Sequence, residues 1–117
     1  MPFFHYSQNN SGGGFDYDAD DGISNNVIIE ADDADHANDR ARDIGLYFDG
    51  VDKGQDCSCC GDRWYETWRD EGDDAPMMYG RPLAEYTPYH WHKGFDTFVH
   101  YADGRIVGHF PSTRKDA

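Results

Sequence analysis

The chain has almost no leucine: Leu46 and Leu83 are its only ones, and 38% of its 117 residues are hydrophobic. A helical bundle draws its seams from leucine, so the composition favours a small sheet closed by one helix. Long apolar runs are also missing. None reaches the roughly 20 residues that a membrane-spanning helix needs, and Met1-Pro2-Phe3-Phe4-His5-Tyr6 lacks the basic-then-apolar layout of a secretory signal. Positive charge is scarce, with 10 bases against 23 acids and a net charge of −13. Such a field repels DNA, RNA and anionic membranes and attracts basic protein surfaces. Three cysteines, two of them adjacent, do not form the even framework of a secreted disulfide scaffold, and this points to a reducing cytoplasm.

What is present is aromatic. Rings make up 15% of the residues, among them Trp64, Trp68 and Trp91, and they can supply the buried area that leucine does not. The length suits one domain over residues 1–117 with a flexible polar tail at 111–117. The expected fold is α+β: a small antiparallel sheet of three to five strands packed on one main helix, with a cysteine-rich knuckle. Phe3–Ser7 reads as a first strand, and the β-branched run Asn25–Ala31 as a central one. Asp32 or Asp33 can cap a helix whose stripe of Ala34, Ala37, Ala41 and Ile44 ends at Gly45. Asp35, Asp39, Arg42 and Asp43 form its solvated face. Residues 96–101 and 105–110 read as a hairpin around Asp103-Gly104, although a one-residue slip would exchange the faces of Phe98, His100, Ile106 and Gly108.

Two loops are weak ligand candidates. Gly12-Gly13-Gly14 could cradle an anion, but acids follow it and no base is near. Asp16–Ile23 alternates oxygen ligands, but a calcium loop needs Gly at its sixth position and Glu at its twelfth, where this chain has Asp21 and Val27. The stretch Gly54–Tyr65 is the richest in chemistry. Cys57, Cys59 and Cys60 can fold three thiolates around one zinc ion, with His90 as the expected fourth ligand and His5 or His92 as alternatives; equally, the cysteines can pack as small core residues under Trp64. Arg63 can grip an acidic ligand beside a ring, or pin the knuckle to its own domain. Arg63 and Trp64, with Arg81, Tyr89, His90, Trp91, His92 and Lys93, form the expected ligand-binding set, in which rings stack a base and cations meet its phosphate. No catalytic triad is implied. An open zinc position would permit metal-assisted hydrolysis.

Four stretches carry a resemblance: Phe4–Gly13, Ile28–Asp32, Leu46–Gly50 and Asp56–Tyr65, the last reading Asp-Cys-Ser-Cys-Cys-Gly-Asp-Arg-Trp-Tyr. In them the chain resembles a group of small uncharacterised proteins of tailed bacteriophages. The resemblance implies an accessory protein working in the cytoplasm of an infected bacterium, and carries no mechanism. In that setting an acidic protein is expected to bind and modulate a host defence factor, either by occupying a basic surface or by sequestering a small nucleotide. A metal-stabilised structural accessory and a metal-dependent hydrolase are the alternatives. Unpaired strand edges and abundant rings favour a homodimer.

Overall fold

In the computed structural model, which describes residues 1–9, 15–56, 61–68, 72–88 and 94–111, a four-stranded sheet is packed on one helix. The strands are β1 (Phe3–Ser7), β2 (Asn26–Glu30), β5 (Phe95–His100) and β6 (Ile106–Pro111), in the order β1-β2-β5-β6. The helix α1 (Ala34–Ile44) follows β2, and β3 (Met77–Met78) and β4 (Arg81–Pro82) form a separate two-stranded ribbon. Class, strand count and single helix are as expected. The all-antiparallel expectation is corrected: β2 and β5 run parallel, Val27 facing Phe98 and Ile29 facing His100. A parallel pair needs a long crossover, which α1 and the segment after it provide.

The helix begins where Asp33, in an extended conformation, accepts the His36 N–H, and ends where Gly45 turns left-handed at φ 117°. Its small stripe of Ala34, Ala37 and Ala41 is buried and lets the helix lie close on Phe4, Tyr6, Val27 and Ile29, with Trp64, Leu46 and Phe48 completing that layer. The opposite sheet face buries Phe3, Ile28 and Val99 beneath Met78. The β3–β4 turn has Tyr79 and Gly80 both at positive φ, the backbone of a two-residue hairpin, and this seats Met78 on the sheet.

The register places Phe98 opposite Gly108 and His100 opposite Ile106, in line with Val27 and Ile29 on the helix side. Gly108 leaves room for the Phe95 ring, which a Cβ there would meet at 2.5 Å. The β5–β6 connection is the expected Asp103-Gly104 turn, with Gly104 at φ 95°. Pro111 belongs to β6, opposite Phe95, and the rest of the expected tail, residues 112–117, lies outside the described residues.

Candidate functional site

Arg63 lies at the meeting point of four separate stretches. Its Nη1 donates to Gln8 Oε1 at 2.7 Å, its Nε donates to the Tyr47 hydroxyl at 3.1 Å, and it forms ion pairs with Asp16 at 3.4 Å and Asp56 at 3.9 Å. The Asp56 side chain is 1% exposed, and it accepts from the Tyr47 hydroxyl and from the Arg63 backbone N–H. Asp56 fits there because Gly50 has no side chain: a Cβ at Gly50 would come within 1.9 Å of the carboxylate. Burial, and next the hydrogen bond to Asp56, push the Tyr47 phenol up. With its side chain 12% exposed, Arg63 joins Tyr47 and Asp56 to Gln8 and Asp16.

Of the other expected ligand-binding residues, Trp64 and Arg81 fall among the described ones. Trp64 is 1% exposed and belongs to the core, so its faces are closed to a ligand. The Arg81 side chain is 72% exposed on β4, with Glu85 3.9 Å away. Tyr89, His90, Trp91, His92 and Lys93 lie outside the described residues, as do Cys57, Cys59, Cys60 and the glycine run. Among the described residues no group of His, Cys, Asp or Glu is placed to hold a metal ion, and no helix is long and apolar enough to cross a membrane.

A second polar cluster sits at the start of the parallel pair. His5 Nε2 lies 2.8 Å from Asn26 Oδ1, and the Asn26 amide donates to Asp96, which also accepts from Thr97 Oγ1 at 2.7 Å. Asp96 and Thr97 are sealed from solvent, and the cluster satisfies their buried polar groups. Burial pushes His5 below its ordinary value, against the raising effect of the Asn26 bond and of Asp73 and Asp96. Burial likewise lowers His100, whose Nε2 meets the Gly22 carbonyl at 2.8 Å, and Arg40 adds to the lowering.

These two histidines predict an acid sensitivity of defined sign. Below the unfolded value of about 6.5 the unfolded chain takes up protons that the folded chain refuses, so stability falls as the pH drops from about 7 toward the lower folded values. The urea midpoint should decrease between about pH 7.5 and pH 5.5, and His100→Gln, which keeps a donor for Gly22, should flatten part of that slope. Equal midpoints at the two pH values would contradict the assignment.

The described surface is acidic, and Trp68 is its most exposed ring. Asp35, Asp39 and Asp43 line the outer face of α1, as expected. The two arginines of α1 meet the chain's own acceptors: Arg40 donates to the Glu30 and Tyr101 carbonyls, and Arg42, on the solvated face as expected, pairs with Asp39 and Glu66 and lies over Phe48. In the Asp16–Asp21 loop, the neighbouring Asp18 charge pushes the Asp21 carboxyl up. Trp68 is 82% exposed and stands beside a cavity of about 430 Å³ lined with Asp33, Asp35 and Glu66. The wall holding Trp68 is fixed by Asn38, whose side chain accepts the Thr67 N–H at 3.0 Å and donates to the Thr67 carbonyl at 2.9 Å. The Tyr6 hydroxyl donates to the same Asn38 oxygen at 2.7 Å, and burial pushes that phenol well up. Reading the sequence did not single out Trp68 as a site residue; a lone tryptophan at the border of a polar stretch was the available signal.

Residues 1–115 match the model of a family described as a domain of unknown function (DUF7296), and the chain belongs to that family. Neither the curated proteins nor the solved structures yield a match.

Proposed function

We propose, for this member of a family without an assigned activity, a non-enzymatic binding protein that occupies a basic surface on a host factor and modulates it. The observation that carries the reading is the bare Trp68 beside Asp33, Asp35 and Glu66, on a chain of net charge −13 whose nearby arginines are turned to its own acceptors. A ring next to carboxylates suits arginine and lysine side chains, and the wider field speeds encounter with a basic partner. The phage resemblance supplies the setting, a bacterial cytoplasm, and with it the expectation of a defence factor as target.

The same reading keeps the cysteine-rich knuckle as a metal-stabilised turn. Its support is the sequence, in which Cys57, Cys59 and Cys60 offer three thiolates within four residues, the number one zinc ion takes before a fourth ligand.

Affinity capture from bacterial lysate tests the function. The intact chain should retain a basic protein at low salt and lose it as salt rises. Changing Asp33, Asp35, Asp39 and Asp43 to Asn should weaken retention by roughly tenfold or more without unfolding the domain. Retention that ignores both salt and these changes would overturn the reading.

A further inference from the structure

Among the described residues, the edge of β1 is closed at its two ends and open in the middle. Alternate residues of a strand turn their main-chain groups to opposite sides. In β1 the even residues serve the β2 side: the Pro2 carbonyl accepts from Ala31, and the Gln8 N–H donates to Asn25. The odd residues face outward. Phe3 exchanges both of its hydrogen bonds with Asp73 at 2.8 Å, and the Asn9 N–H donates to the Arg63 carbonyl at 2.8 Å. Between these anchors, His5 and Ser7 present their N–H and C=O groups with no backbone partner among the described residues.

They open on a groove of about 470 Å³ lined by His5, Tyr6, Ser7, Tyr65, Thr67 and Trp68, with Glu66 at its rim. Among the described residues, the segment 61–68 does not close this gap. Trp64 is drawn into the core, and both main-chain groups of Thr67 are held by Asn38, so the opposite wall stands away from β1. Thr67, Trp68 and Glu66 are shared with the acidic cavity described above, which makes groove and cavity one continuous surface.

We propose that this gap is a docking slot for an extended, basic segment of the partner protein, which adds to the sheet edge as a short strand beside His5 and Ser7. The proposal rests on the binding-protein reading and names the element that does the binding. Main-chain pairing is offered by two outward residues roughly 7 Å apart, enough for about three residues of a visiting strand. Specificity comes from charge: a basic side chain leaving that strand can lie on Trp68 and reach Asp33, Asp35 and Glu66, whereas an acidic segment meets repulsion.

Amide hydrogen exchange on the intact chain tests the slot directly. In the free protein the His5 and Ser7 amides should exchange at least about tenfold faster than those of Phe4 and Tyr6, which face β2. The probe is a short capped peptide alternating valine and arginine. It should slow exchange at His5 and Ser7 by about tenfold or more, and Trp68→Ala should weaken its binding by about tenfold while leaving Phe4 and Tyr6 protected. The same peptide N-methylated at alternate residues keeps its charge, loses the main-chain donors, and should give no protection.

Failure of the peptide to bind, binding with His5 and Ser7 unchanged, or equal binding of the N-methylated peptide would overturn the slot. So would protection that rises with protein concentration alone, which would assign the edge to a second copy of this chain. A basic partner captured from lysate that leaves His5 and Ser7 unprotected overturns the slot and spares the binding function. Peptide protection with no basic partner captured supports the slot and removes the proposed function.

Discussion

Arg63→Ala should destabilise the fold by about 3–5 kcal/mol, a large share of the 5–15 kcal/mol typical of a small domain. The arginine is the cation beside Asp56, whose carboxylate is withdrawn from water, and it also satisfies Gln8 and Tyr47. Its loss leaves a buried charge and two polar groups short of a partner, and such a group costs far more alone than the intact pair contributes. Arg63→Lys should recover only part of the loss, since one ammonium cannot reproduce a guanidinium that meets Gln8 through Nη1 and Tyr47 through Nε at once. Adding Asp56→Asn to Arg63→Ala should cost less than the sum of the two single changes. Urea unfolding of the four variants checks this. A stability change below about 0.5 kcal/mol for Arg63→Ala would instead mark Arg63 as a residue kept for a ligand.

Trp64→Ala should be comparably severe, at about 3–5 kcal/mol, because it empties a site 1% exposed among the helix alanines, Phe48 and the inner face of the sheet. The neighbouring ring gives the contrast. Trp68→Ala, at a position 82% exposed, should leave the unfolding midpoint nearly unchanged and act on partner binding. Thermal unfolding of the two variants in parallel separates the roles. Equal stability losses would mean that Trp68 also packs into the fold, and a stable Trp64→Ala would return that ring to the ligand-binding set.

Sequence carried the local features well. The helix announced itself through Asp33, the alanine stripe and Gly45, which act within one or two turns, and the C-terminal hairpin through Asp103-Gly104 between two β-rich runs. Phe3–Ser7 and the strand before the helix were legible for the same reason. Features joining distant residues were not. The parallel pairing of β2 with β5 links segments about 70 residues apart, and no local pattern distinguishes it from an antiparallel neighbour. The faces of Phe98 and His100 followed only from that register.

Arg63 was visible as a residue with two opposed roles, yet its partners Gln8, Asp16, Tyr47 and Asp56 come from separate stretches, and with 23 acids in the chain composition could not choose among them. Trp64 and Trp68 look alike in the sequence. Four residues apart, they are divided into core and surface by the core packing of the one and by the hold of Asn38 on Thr67, just before the other. The open edge depends on knowing that Phe3 meets Asp73 and Asn9 meets Arg63, pairings that no periodicity in β1 reveals.

Native mass spectrometry of the protein, purified gently from expressing bacteria without a chelator, tests the binding function most directly. The account predicts a protein-sized mass increment from a basic partner that is shed as ionic strength rises. A nucleotide-sized increment, with no protein partner at any salt concentration, would contradict it.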